Sequence, residues 1–294
     1  MLPALVFVAQ ISFLAARPFE CGNDGTGRGA NLWERAKHPE LRHYCDLLAA
    51  GTSKLASPAT AADALSEADD ADQAMPGHAA PLVLKGRALG KLGRYTEAYA
   101  AFTDAKSRDA RALDDPSALL AFARASARSG HLPEALAAFR ALLPRADGLS
   151  SSERAPAYVE AAVHAMNAGA ADDAVAMLRQ ARREASDAIQ PVATLALALA
   201  LDRAGEKEEA KAVLDDRAKA EARTVARNAT VQTLLGPYAF EAEAMAAMGL
   251  EQTDVAASQA AWQRFITAAG THTSWIEHAR SHVSSHPSAP PRHR

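Results

Sequence analysis

Four segments of the chain repeat one pattern: a glycine, an alanine five residues later and a large apolar residue nine residues later. The segments begin at Gly93, Gly130, Gly169 and Gly205, so successive glycines are 37, 39 and 36 residues apart. A repeat of this length is typical of arrays of helical hairpins, in which each unit buries its apolar face only against its neighbours. The repeat therefore predicts a helical array.

Each position of the repeat has a physical role. A glycine after a helix adopts the left-handed conformation that closes the last turn without a steric penalty. The alanine lets a second helix approach closely, and the large residue fills the space between neighbouring helix pairs. The alanines are Ala98, Ala135, Ala174 and Ala210, and the large residues are Phe102, Phe139, Leu178 and Leu214.

The composition also favours an all-α fold. Hydrophobic residues make up 49% of the 294 residues, and they are mostly alanine and leucine, while aromatic residues contribute only 5%. Strands favour β-branched and aromatic side chains, so a sheet-based enzyme scaffold is disfavoured. With 32 Lys and Arg against 35 Asp and Glu, the net charge is −3, and the basic surface of a general nucleic-acid-binding protein is absent. We expect no nucleic-acid partner.

Local signals mark individual helices. Asp115 before Pro116 predicts an N-cap followed by a proline at the first helical position, and Gln190 before Pro191 repeats that arrangement. Residues 191–201 alternate leucine and alanine, as a strand does. Their alanine content and their position before a turn glycine instead predict a buried helix.

One unit of the repeat is better preserved than the others. A small residue, the turn glycine, an aromatic residue, an alanine, a second aromatic residue and a second alanine occur at Gly86, Gly93, Tyr95, Ala98, Phe102 and Ala105. This pattern resembles the tetratricopeptide repeat (TPR) family, whose unit of about 34 residues is a pair of antiparallel helices. The resemblance implies a right-handed α-solenoid of TPR-like hairpins over residues 45–270, with a degenerate unit at 45–78 and a further turn at Gly249.

The resemblance also implies a function. In this family the first helix of each pair lines a concave groove that binds a protein or peptide, so the chain is expected to be a non-catalytic scaffold. Carried over position by position, the groove residues are Val83, Arg87, Lys91, Leu120, Arg124, Arg128, Val159, Val163, Leu195 and Leu199, with Met166, Asp202 and Arg203 beside them. A groove that is basic at one end and apolar at the other suits a peptide with a carboxylate-bearing end and a hydrophobic body.

Two other interpretations of these residues stay open. The cations in the list are alternatively ordinary solvated charges, which are common on protein surfaces. The array is alternatively a structural subunit that is permanently assembled in a complex of the cell envelope.

The N-terminus predicts export. Residues 2–16 carry no charge, and as a helix they would extend about 22 Å, short of the roughly 30 Å of a bilayer core. We interpret residues 1–16 as a cleaved signal peptide and expect a periplasmic or secreted protein with no membrane span after cleavage. A buried first helix or a wrongly assigned start codon are the alternatives.

The chain contains two cysteines, Cys21 and Cys45. An even number of cysteines in an exported chain predicts a disulfide, which here would pin an N-terminal segment at residues 17–44. The alternative is two unpaired thiols. Neither cysteine belongs to a C-x-x-C motif or to a recognisable catalytic pattern.

No nucleophile elbow or set of nucleophile, base and orienting residue occurs, so we predict no enzyme and no cofactor. His278, His282 and His286 have the i, i+4, i+8 spacing that places three possible metal ligands on one helical face. Pro287 follows, and no acidic ligand is evident nearby. This favours a capping helix over residues 271–283 with Trp275 facing inward, and a metal-binding module is the less favoured alternative. Residues 284–294 are predicted to be disordered.

Overall fold

The computed structural model of the protein describes Cys21 and residues 39–285. In this part of the chain the ordered elements are fifteen α-helices and several short 3-10 helices, with no strand. The predicted all-α class is therefore confirmed. None of the described helices is long and apolar enough to cross a membrane. The predicted signal peptide at 1–16 and most of the predicted tail lie outside the described residues.

The chain divides into two compact units, residues 1–121 and 122–294. The helices of the first unit are α1 (Pro39–Lys54), α2 (Ala61–Ala74), α3 (Ala79–Lys91), α4 (Tyr95–Arg108) and the start of α5 (Pro116–Arg128). Each of α1 to α3 contacts the next helix, and α1 also contacts α3. Alanines spaced three or four residues apart give α2 one buried face, as an amphipathic helix requires: these are Ala61, Ala64, Ala68 and Ala71.

The predicted disulfide is confirmed in the first unit. Cys21 is bonded to Cys45 of α1, and the two Cα atoms are 5.6 Å apart. The bond attaches a residue of the predicted N-terminal segment to the first described helix. Because α1 begins at Pro39, that helix starts before residue 45, where the sequence places the start of the array.

The second unit contains ten further helices. They are α6 (Leu132–Leu142), α7 (Ser151–Asn167), α8 (Ala171–Glu184), α9 (Gln190–Arg203), α10 (Lys207–Ala212), α11 (Asp216–Glu221), α12 (Ala229–Leu235), α13 (Glu241–Leu250), α14 (Val255–Ala269) and α15 (Ile276–Ser285). Residues 191–203 of α9 are all buried, and α9 contacts α7, α8, α10, α11 and α13. A helix that is apolar on every side is a central one, and the predicted buried helix at 191–201 is confirmed.

The repeat glycines end helices, as predicted. Gly93, Gly130, Gly169 and Gly205 have φ angles of 75°, 88°, 83° and 89°. After each glycine, the next N–H donates to the carbonyl five residues earlier, as Arg94 does to Leu89 over 2.9 Å. This hydrogen bond closes the helix end in a Schellman motif. The alanine and the large residue of every repeat are buried.

Three details differ from the sequence-based expectations. Gly249 does not form a turn but lies inside α13, where a Cβ atom would stand 2.4 Å from Cβ of Ala222. The reason for a glycine there is the close approach of two helices. Gln190 is the first residue of α9 rather than its N-cap. The last helix extends to Ser285, past the predicted end at residue 283.

Candidate functional site

The second unit contains a buried ion pair between Arg203, at the end of α9, and Glu241, at the start of α13. Arg203 Nη2 is 2.7 Å from Glu241 Oε2 and Nη1 is 3.0 Å from Oε1, with side chains 1% and 0% exposed. The guanidinium carbon of Arg203 lies 4.9 Å from the ring centre of Trp275 and 5.7 Å from that of Phe265. Because either charge alone would be uncompensated in the core, the pair fixes α13 against α9.

Helix α7 is attached to the same place by two hydrogen bonds. Asn167 Nδ2 donates to Glu241 Oε1 over 2.9 Å, and Trp275 Nε1 donates to the carbonyl of Met166 over 2.9 Å. In addition, α12 contacts α7 and α13 contacts α9. Helices α12 and α13 and the side chain of Trp275, all of which follow the four repeats in the sequence, thus cover α7 and α9 within the second unit.

This covering explains where four predicted groove residues lie. The apolar residues of α7 and α9 that were expected to line the groove are buried in the core of the second unit: Val159, Val163, Leu195 and Leu199. A partner therefore has no access to them in this structure, since the chain's own later helices supply the apolar contacts. Met166, expected beside them, is buried in the same core.

The other predicted groove residues are not all buried in this core. Arg124 makes a two-pronged ion pair with Glu160, at 2.6 Å from Nη2 to Oε1 and 2.9 Å from Nε to Oε2. Arg128 donates a hydrogen bond to the carbonyl of Thr233. In the first unit, Leu120 is buried, Val83 and Arg87 are half-buried, and Lys91 is exposed.

A polar cluster lies where α15 meets α9. His278 Nε2 and His282 Nε2 approach Asp202 Oδ2 at 2.5 Å and 3.0 Å, and His282 Nδ1 is 3.0 Å from Glu251 Oε1. We call these four residues the aspartate–histidine cluster. The two histidines are one helical turn apart and share a face of α15, whereas Asp202 belongs to the last turn of α9 and Glu251 follows α13.

Burial and charge act against each other in this cluster. Burial by itself raises the pKa of Asp202, but hydrogen bonds and positive charge from His278 and His282 outweigh it and hold the pKa well below its usual range. Burial by itself lowers the pKa of His282, but Asp202 and Glu251 together raise it to about 9. Without a bound cation, His282 is therefore protonated at neutral pH.

Two aromatic side chains hold the imidazole rings. The ring of Trp262 stacks on His282, with ring centres 4.6 Å apart and an interplanar angle of 21°. Trp275 meets His278 edge-on at 5.7 Å. The side chain of Asp202 is 3% exposed and that of His282 10%, while His278 is 23% exposed and opens the cluster to solvent.

The sequence identified two of these residues by their spacing and missed the acids. Asp202 is 76 residues from His278, and Glu251 is 31 residues from His282. No local pattern reveals such partners. The third histidine of the predicted triplet, His286, lies outside the described residues.

A surface groove of about 690 Å³ forms a second candidate site in the second unit. Its apolar lining residues are Ala222, Ala226, Ala246, Leu250, Ala257 and Ala260, and its charged lining residues are Arg223, Arg227, Arg264 and Glu243. Arg264 Nε donates to Glu243 Oε2 over 2.9 Å, and Arg227 Nη2 donates to the Arg223 carbonyl over 3.0 Å. Arg223 Nη1 is 3.8 Å from Asp254 Oδ2. We call this surface the arginine groove.

Comparison with known proteins gives no match, either to a family model or to a curated sequence. The two sites described above are therefore the features of this chain that bear on its function. The arginine groove is an open surface, whereas the aspartate–histidine cluster is small and mostly enclosed.

Proposed function

We propose that this protein is a non-catalytic scaffold of the bacterial cell envelope that binds an acidic peptide segment of a partner protein in the arginine groove. The observation that carries the proposal is the composition of the groove, which is lined by three arginines and one glutamate together with alanine and leucine side chains. Guanidinium groups bind carboxylates through paired hydrogen bonds. A volume of about 690 Å³ is in the range of binding sites, about 300–1,000 Å³.

The arginine groove replaces the apolar part of the surface that the sequence predicted. The ligand is still expected to bear carboxylates and an apolar part, and the alanine-rich lining of the arginine groove favours small apolar side chains in it. The proposed binding site lies in the C-terminal part of the second unit, because the apolar residues of α7 and α9 that the sequence predicted as contacts are buried in the core. Val83, Arg87 and Lys91 of the first unit stay predicted contacts for the same kind of partner.

The scaffold role is based on a right-handed solenoid of TPR-like hairpins. Within the second unit, two ion pairs join equivalent positions of successive repeats. Arg140 pairs with Asp173 at 3.2 Å, and Arg179 pairs with Glu209 at 2.6 Å. Each arginine is ten residues after its own turn glycine and each acid four residues after the next one. Contacts repeated from unit to unit are expected of a solenoid, and they support this arrangement.

Export to the periplasm or the medium is part of the proposal. The disulfide between Cys21 and Cys45 supports it, since disulfides persist in oxidising compartments and are rare in the cytosol. The uncharged residues 2–16 provide a signal sequence.

Permanent assembly into a larger complex is the competing function. Permanent interfaces are large and strongly apolar. Among the described residues, the exposed large hydrophobic side chains are Leu92 and Val255. This favours a partner that binds and dissociates.

The test is a direct binding measurement. Fluorescently labelled peptides rich in alanine, leucine and glutamate are titrated with the purified protein and followed by anisotropy, beside versions in which glutamine replaces glutamate. We expect the acidic peptides to bind, and Arg223→Gln with Arg227→Gln to weaken them at least about tenfold, because each hydrogen bond to a charged group contributes about 1.5–3 kcal/mol.

Arg111→Gln is the matched control, because it removes an exposed arginine of the first unit. It should leave the affinity unchanged. Equal binding of glutamate and glutamine peptides, or no effect of the two groove substitutions, would contradict the proposal.

A further inference from the structure

We propose that Asp202, His278 and His282 bind one divalent transition-metal ion of the zinc type, with Glu251 as the residue that orients His282. This site is separate from the arginine groove and does not depend on the proposed function. It would attach α15 to α9 through a metal ion.

The arrangement of ligand atoms supports the site. One ligand atom from each of the three residues lies within 4.8 Å of the others. In tetrahedral zinc sites, bonds of about 2.0–2.1 Å place neighbouring ligand atoms about 3.3 Å apart. The distances of 2.5 Å and 3.0 Å from the two imidazole nitrogens to Asp202 Oδ2 are those of hydrogen bonds. Side-chain movements of about 1 Å or less would convert them into metal–ligand geometry.

Glu251 gives His282 the orientation that a ligand needs. Nδ1 of His282 lies 3.0 Å from Glu251 Oε1, so the carboxylate accepts the Nδ1 proton. A metal ion that displaced the Nε2 proton would then meet the Nε2 lone pair beside Asp202 Oδ2. Metal-binding histidines usually donate their second N–H to a carboxylate in this way, which fixes the tautomer and strengthens the ligand. The stacked ring of Trp262, 4.6 Å away, limits rotation of the imidazole.

The charge of the cluster also fits a divalent cation. Asp202 and Glu251 contribute two negative charges to a place where both are largely buried. The neighbouring cation Arg203 is already neutralised by Glu241. Two buried negative charges require positive counter-charge, and one divalent ion supplies an equal amount, because buried charge without a counter-charge is strongly unfavourable.

The ligand types select the metal. Two imidazole nitrogens with one carboxylate oxygen suit Zn²⁺, Co²⁺, Ni²⁺ or Cu²⁺, whereas Mg²⁺ and Ca²⁺ take oxygen ligands almost alone. Three protein ligands leave one coordination position for water. His278, with 23% of its side chain exposed, is the ligand that solvent reaches most readily.

The experiment uses the full chain after treatment with a chelator. Co²⁺ is titrated and visible absorption recorded, and Zn²⁺ affinity is measured by competition with a chromophoric chelator. We expect one equivalent to bind with a tetrahedral cobalt spectrum, and the thermal midpoint to rise with zinc. Glu251→Gln should weaken zinc about 10–100-fold, the effect typical of residues that orient a ligand. His278→Gln and Asp202→Asn should weaken it further.

His272→Gln is the matched control, because this exposed histidine lies outside the cluster. Zinc affinity should be unchanged in this variant. His278 is the most exposed of the three ligands, so His278→Gln is expected to fold, and circular dichroism verifies that it does. Absence of stoichiometric zinc or cobalt binding, or binding that His278→Gln leaves intact, would overturn the proposal and leave the cluster as a hydrogen-bonded ion group.

Discussion

Gly249 of α13 lies against Leu195 of α9, so close that a Cβ atom on Gly249 would stand 2.7 Å from Leu195 Cδ2. Real Cβ atoms essentially never come so near another carbon atom. The contact is one of those by which the C-terminal helices cover the repeat helices, and it gives Gly249 a purely steric role.

We therefore expect Gly249→Ala to destabilise the second unit. The added methyl must displace Leu195 or Ala222, and overpacking of this kind typically destabilises a protein by about 1–3 kcal/mol. Urea unfolding measures the difference. The control is Gly90→Ala, because Gly90 lies inside α3 with no atom within 4 Å of a built Cβ. There, alanine should stabilise by about 0.5–1 kcal/mol. Equal stability of Gly249→Ala and the natural protein would contradict this role.

The features that the sequence predicted are local ones. Gly169 ends α7 with a φ of 83°, because only glycine adopts that conformation without strain, and the residue type alone reveals it. Ala174 and Leu178 follow at fixed spacings on one face of α8, so their burial could also be predicted. Local rules of this kind were enough for the helical class and for the repeat.

The features that the sequence did not predict depend on contacts between distant segments. Arg128 is 105 residues from Thr233, and Asp202 is 76 residues from His278. Repeat spacing predicts that Leu195 is apolar and on one face, but an apolar residue fits an open groove and a covered core equally well. Only the position of α13 decides between them, and no periodicity of the chain encodes that position.

The ion pair of Arg203 and Glu241 gives a second prediction. Arg203→Met leaves Glu241 buried without its counter-charge, and loss of one partner of such a pair destabilises by about 3–5 kcal/mol. The double variant Arg203→Met with Glu241→Leu should be more stable than Arg203→Met alone, because it removes both charges from the core. The unfolding free energy is measured by chemical denaturation for the natural protein, for both single variants and for the double variant. These four values form a double-mutant cycle. A double variant that is less stable than each single variant would contradict the prediction.

The disulfide gives a third prediction, for the first unit. Cys21 and Cys45 are 24 residues apart. In the chain-entropy model, closing a loop of this length stabilises the folded protein by about 3.5 kcal/mol, because it restricts the unfolded chain. Cys21→Ser with Cys45→Ser should therefore lower the unfolding free energy by about that amount. The measurement is repeated with a thiol reductant, in which the natural protein should become as unstable as the variant. A difference that persists in reductant would show that the serines act in another way.

A fourth prediction concerns pH and His164 of α7. Burial lowers the pKa of this imidazole to about 4. Its ring lies 5.2 Å from Phe139 and 4.9 Å from Tyr238 between ring centres, and its Nδ1 is one of the buried polar atoms in the described chain that have no hydrogen-bond partner. His164 is therefore neutral in the folded protein over the whole range above that pKa.

The sign of the pH effect follows from the unfolded state, where a histidine has a pKa of about 6.5. Between pH 6.5 and 4 the unfolded chain binds a proton at His164 and the folded chain does not, so the contribution of His164 is complete above pH 6.5 and is lost as the pH falls. The loss amounts to about 3 kcal/mol at 1.36 kcal/mol for each pKa unit. His164→Leu should remove this part of the pH dependence.

Urea unfolding of both proteins at a series of pH values from neutral to acid measures the effect. The relevant quantity is the difference in unfolding free energy between the natural protein and His164→Leu, because the other titrating groups are common to both and cancel. Above pH 7 this difference should be constant, and below pH 6 it should shift in favour of the leucine variant, since leucine leaves no site for the proton in the unfolded chain. A difference that does not change with pH would show that His164 is as accessible to protons in the folded protein as in the unfolded chain.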